Sequence, residues 1–112
     1  MLRESHTAVV GRNEVWEGSA ASEPYEAGWA LEAIVWLRVL AVEGPTANVE
    51  ARVQLSPDGI HWVDEGTRFA ISAVKDGLTF ARVSHFGNWL RVVADLPAGM
   101  KLTVLVSITV KG

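Results

Sequence analysis

In residues 47–56, Val49, Ala51, Val53 and Leu55 alternate with Asn48, Glu50, Arg52 and Gln54. A period of two sets the apolar side chains on one face of a strand and the polar ones on the other, the mark of a sheet with one wet side. Residues 100–111 repeat the pattern: Leu102, Val104, Val106, Ile108 and Val110 alternate with Lys101, Thr103, Ser107, Thr109 and Lys111, and Leu105 is the one departure. Between them, short runs at 60–65, 67–72, 78–85 and 89–95 are separated by turn formers: Ser56-Pro57-Asp58-Gly59, Gly66, Lys75-Asp76-Gly77, Phe86-Gly87-Asn88 and Leu96-Pro97-Ala98-Gly99. Proline presets φ, aspartate bonds nearby backbone and glycine accepts a positive φ. The spacing predicts a tight hairpin at 56–59, with 78–85 pairing back on 67–72. Together these runs predict an all-β fold, an antiparallel jelly-roll-like β-sandwich of about seven to nine strands. Val53, Leu55, Leu90, Val104 and Val106 are its expected core.

The first 46 residues are less regular. Residues 7–10 and 14–16 read as short strands around Gly11-Arg12-Asn13, and 18–27 reads as a loop rich in Ser, Ala, Glu and Pro. The chain is thus expected to be one domain over 1–112 with a less regular N-terminal segment over 1–28. Residues 29–43 are rich in β-branched and aromatic side chains and end at Gly44-Pro45, which favours a strand over a buried helix. Such a strand is apolar on both sides: Ala33, Val35, Leu37 and Val39 face one way, Ile34, Trp36, Leu40 and Val42 the other, with Arg38 the sole charge. A sandwich has one interior, so the second apolar side needs another cover, either the 18–27 loop or a second subunit. The expected contact residues are Trp29, Trp36, Arg38 and Leu40, with Glu17, Glu23 and Glu26 offering an acidic patch to basic groups of a neighbour.

Composition narrows the function. With 49% of its 112 residues hydrophobic and 21% charged, the chain has enough apolar surface to fold rather than remain disordered. A net charge of −3 provides no basic field for phosphates, so nucleic acid is not an expected partner. The absence of Cys excludes disulfides and thiolate chemistry. Arg3, Glu4, His6, Arg12 and Glu14 interrupt the N-terminus, so no signal peptide is expected and synthesis is expected in the cytoplasm. The most apolar window, 29–42, holds Glu32 and Arg38 and falls short of the roughly 20 residues a membrane helix needs. Residues 1–32 carry six Glu against two Arg, and residues 66–112 carry six Lys or Arg against two Asp. The resulting −4 and +4 segments can pair within the fold or between neighbours.

Catalytic patterns are thin. His6, His61 and His85 stand alone in sequence with no metal-ligand spacing, and adjacent Asp64 and Glu65 point to opposite faces of any strand. No enzyme activity, metal or cofactor is therefore expected; a small hydrolase would require Asp64 and His85 to converge in one cleft. Trp16, Trp29, Trp36, Trp62 and Trp89 are many indoles for the length. Trp62 and Trp89 lie in alternating runs where a core position is the default. Trp16 and Trp29 flank the irregular segment and offer a stacking platform for sugar rings, so carbohydrate is the alternative partner.

The hairpin Ser56-Pro57-Asp58-Gly59-Ile60-His61-Trp62 and the later run Phe86-Gly87-Asn88-Trp89-Leu90-Arg91-Val92 resemble a hairpin and strand common in β-sandwich modules. The combination is similar to small jelly-roll structural proteins of tailed phages and phage-like particles, and secondarily to discoidin-like carbohydrate-binding modules. The first resemblance implies a non-catalytic head or tail component that self-associates as a homo-oligomer or docks on a larger protein shell. The second implies a sugar-binding module.

Overall fold

Alternation along the chain becomes two antiparallel sheets packed face to face in a computed structural model that describes residues 5–84, 86 and 88–112. Arg3, Glu4, His85 and Gly87 lie outside the described residues, and with them the His85 half of the hydrolase reading. The strands are β1 (Ser5–Glu17), β2 (Ser19–Ala21), β3 (Tyr25–Glu26), β4 (Glu32–Glu43), β5 (Glu50–Ser56), β6 (Val63–Ala70), β7 (Leu78–Ser84), β8 (Trp89–Asp95) and β9 (Lys101–Lys111). One sheet has the order β1-β9-β4-β7; the other has the order β2-β8-β5-β6, with β3 also pairing β8. The fold is an all-β sandwich.

The core is what period two demands. Val35, Leu37 and Val39 from β4 and Leu102, Val104, Val106, Ile108 and Val110 from β9 are fully buried against Ala51, Val53, Leu90 and Val92 of the facing sheet. Leu55 is only partly buried at the margin of this cluster, while Val53, Leu90, Val104 and Val106 sit at its centre.

Four features differ from the sequence reading. The segments 7–10 and 14–16 form one strand, β1, whose register against β9 shifts on either side of Gly11. That bulge absorbs Arg12 and Asn13, the latter at φ 52, without ending the ladder. The 18–27 segment is not a free loop: Ser19, Ala20 and Ala21 pair with Asp95, Ala94 and Val93, and Tyr25 and Glu26 with Leu90 and Trp89. It thus edges the five-stranded sheet and leaves the outer side of β4 uncovered. Strand β7 pairs β4, not β6, because Leu78–Ser84 crosses to the other sheet after the 71–77 connection. Residues 63–70 run as one strand through Gly66, whose φ of 115 takes up a register shift against β5.

The chain turns at 56–59 as expected, but the hairpin is wider than a tight one: β6 begins at Val63, opposite Leu55, so residues 57–62 lie outside the ladder. The buried Ser56 hydroxyl accepts the N–H groups of Asp58 and Gly59 at 3.2 and 2.8 Å. Asp58 in turn accepts the N–H groups of Ile60 and His61 at 2.8 and 2.9 Å, and its second oxygen lies 2.7 Å from Nδ1 of His61. The His61 backbone, then its ring, then the Ile60 N–H hold the Asp58 carboxyl well below the usual range. Asp58 therefore serves as a turn former.

Candidate functional site

Three of the five indoles, Trp16, Trp62 and Trp89, depart from the reading of their neighbourhoods. Trp16 pairs with Leu102 on the inward side of β1 and is 2% exposed, so it cannot stack on a sugar. The bulge preserves its parity with Val10, and both point into the core. Trp62 and Trp89 are half-buried on the outside of the five-stranded sheet instead of in the core. The Arg91 guanidinium sits over the Trp62 ring at 4.3 Å, and Trp89 packs on Gly59, where a Cβ would meet its ring at 3.2 Å. Trp36 is half-buried on the outer side of β4. Trp29, 45% exposed, meets the His6 ring edge-on at 5.5 Å at the end of the sandwich where β9 finishes.

The two outer faces have opposite chemistry. On the five-stranded sheet, Arg52 bridges Asp64 and Asp95 at 3.3 and 2.8 Å. Gln54 donates to Asp64 at 2.9 Å and accepts from Arg91 at 2.8 Å, and Ser19 donates to Asp95 at 2.8 Å. The Gln54 amide, then Arg52, hold the Asp64 carboxyl below its ordinary value, and Ser19 and Arg52 do the same for Asp95. Asp64 is thus committed to this ladder. Its Oδ1 accepts from both Arg52 and Gln54.

The outer face of the four-stranded sheet is apolar. Trp36 of β4 lies beside Phe80 of β7, ring centroids 5.3 Å apart, and its Nε1 donates to the Thr109 hydroxyl at 3.1 Å. Around this pair stand Ile34, Leu40 and Leu105, all half-buried, and the exposed Val9, Val15, Leu78 and Phe80, the last two 57% and 44% exposed. Ionic groups on this face come in opposed pairs. Arg38 meets Asp76 at 2.9 Å, Lys101 meets Glu17 at 3.9 Å, and Glu32 lies opposite Lys111 in the ladder. Arg82 lies over the Phe80 ring at 5.2 Å. A hollow of about 290 Å³ beside Arg82 is lined by Glu32, Ile34, Ser84, Thr109 and Lys111.

The structure therefore brings Trp36, Arg38 and Leu40 onto one face, as the alternation of β4 predicts. A register shift between Val39 and Ala41 turns Val42 back toward the core, so it leaves the face it was expected to share. The acidic trio does not form a patch. Glu17 sits near the Asp95 end of β8 and Glu26 opposite Trp89 at its other end, about 20 Å away at a strand's rise per residue. Sequence reasoning missed Phe80 and Leu78, the most exposed apolar groups beside Trp36. The available signal was their alternation with the smaller Thr79 and Ala81. Among the described residues no three His, Cys, Asp or Glu side chains gather as a metal-ligand set.

One half-buried acid stands apart. Glu14 projects inward from the β1 bulge opposite Val104, and its Oε1 is buried with no hydrogen-bond partner among the described residues. Burial, then the charge of Glu23, push its carboxyl above the ordinary 4.5. The folded state therefore binds this proton more tightly than the unfolded chain. Its contribution is fully present below pH 4.5 and is lost as pH rises through the folded value. Glu14→Gln is expected to raise stability at pH 7 by up to about 1 kcal/mol and to flatten the change between pH 4.5 and 7. Urea unfolding of both proteins at the two pH values checks this; an unchanged pH profile in the variant would refute it.

No family model matches the chain, and no curated protein matches it. Among solved structures it is similar to the SPBc2 prophage-derived protein YomS, with a TM-score of 0.55 and 10% identity over 100% of this chain and 96% of that one. It also aligns with FlhE, at a TM-score of 0.41 and 19% identity over 97% of this chain and 94% of the other. At such identity the likeness to YomS is one of fold, and it extends over the whole sandwich.

Proposed function

We propose that the chain is a non-catalytic assembly module of a phage-like head or tail, which self-associates and docks on a larger shell through its four-stranded sheet. The observation that carries this reading is the asymmetry of the two outer faces. One is closed by ion pairs and hydrogen bonds, while the other leaves Trp36, Phe80, Leu78, Val9 and Val15 outward among Thr103, Ser107 and Thr109, and no segment of the described chain covers them. Arg38 and Lys101 on this face are paired in place with Asp76 and Glu17, which suits contact with a second copy because a patch with a large net charge repels itself. The prophage origin of YomS, which shares the fold, points the same way.

Sedimentation equilibrium up to high micromolar concentration is expected to show a reversible oligomer. Trp36→Ala is expected to weaken it, since the indole packs beside Phe80 on the same face. A protein that stays monomeric over that range refutes self-association.

A further inference from the structure

We infer that two copies join edge to edge through β7, extending the four-stranded sheet into one of eight strands about a twofold axis at Ala81. This rests on the self-association proposed above and names its geometry. The argument begins with how the sandwich treats its sheet edges. Strand β1 is bulged on both sides of Gly11 and carries Arg12 and Asn13 there. Strand β6 is shifted at Gly66 and carries Asp64, Glu65 and Arg68, and the fourth edge is made of the very short β2 and β3. These are the usual devices that stop a sheet from recruiting another strand. Strand β7 has none of them: it runs from Leu78 to Ser84 against β4 without a register shift, it contains no Pro or Gly, and Arg82 is its only charge.

The hydrogen-bonding phase of that edge is fixed. The Val39 N–H donates to the Gly77 carbonyl at 2.8 Å, so by alternation Thr79, Ala81 and Val83 turn their backbone groups to β4. Those of Leu78, Phe80, Arg82 and Ser84 point to the open side. In an antiparallel pair of β7 strands centred on Ala81, Leu78 falls opposite Ser84 of the second copy and Phe80 opposite Arg82. All four outward residues then pair, and the ladder uses the full strand. Charge selects this register: centring on Arg82 sets two guanidinium groups face to face, whereas centring on Ala81 sets each over the other copy's Phe80 ring, the contact Arg82 already makes within its own chain. Both apolar outer faces end on the same side of the joined sheet, so pairing doubles the surface available to a shell.

The chain has no Cys, so a single introduced thiol reports the register. Ala81 meets its own copy at the non-hydrogen-bonded position, where Cα atoms approach to about 4.5 Å, within reach of a disulfide. Under mild oxidation Ala81→Cys is expected to give a covalent dimer, and Thr79→Cys, which falls opposite Val83, is not. In a second measurement, Phe80→Lys is expected to weaken association on the order of tenfold or more, because it opposes Arg82 twice across the axis, while Phe80→Glu retains it. If wild type oligomerises but Ala81→Cys stays monomeric on oxidation and both Phe80 variants behave alike, β7 pairing is wrong and the contact lies on the face. If wild type itself is monomeric, the self-association reading falls first.

Discussion

Trp16→Ala is expected to lower the unfolding free energy by about 3–5 kcal/mol, the largest single loss in this fold. Trp16 is the largest of the fully buried side chains, and it reaches from an edge strand into the cluster formed by β9 and the facing sheet. Truncation leaves a void that the rigid ladders on either side cannot close. Trp16→Phe should cost much less. It keeps most of the apolar contact and removes an indole N–H that is buried without a partner among the described residues. Urea denaturation of the two variants decides the matter. A stability loss below about 1 kcal/mol for Trp16→Ala would mean that the ring is not in the core.

Gly44→Ala should cost about 2–4 kcal/mol. Gly44 has a φ of 80, and any Cβ built there would overlap the carbonyl oxygen of Gly99, part of the turn between β8 and β9. The strain cannot be relieved by a side-chain rotation because the obstacle is backbone. Gly18 provides the control. Its φ of 61 carries the same conformational penalty, but nothing lies within 4 Å of a Cβ there, so Gly18→Ala should cost only about 1 kcal/mol. The difference between the two, read from thermal melts, measures the contact between the turns. Equal losses would show that only the dihedral angle matters.

What could be read from the sequence follows what each signal encodes. Period two is a property of one strand, so β5, β8 and β9 and most of their inward residues were legible, as was the turn at Ser56–Gly59, whose chemistry is local, though not the width of the connection it opens. Partnership is a property of two strands and leaves little local trace. The transfer of β7 to β4 and the pairing of the 18–27 segment with β8 were therefore missed. Strand β7 also inverts the usual expectation: its large residues, Leu78 and Phe80, face out, and its small ones, Thr79 and Ala81, face in. The apolar outer side of β4 was legible because Arg38 alone interrupts it. That Trp36 and Phe80 form its centre depends on the register between β4 and β7, which only the assembled sheet reveals.

The place of β9 between β1 and β4 governs the order in which this chain can be made. During translation β1 and β4 leave the ribosome long before the strand that separates them, and each waits with a greasy side bare. Productive collapse must therefore await the final segment, and stalled or shortened chains would expose two mutually attractive ribbons to one another and to chaperones.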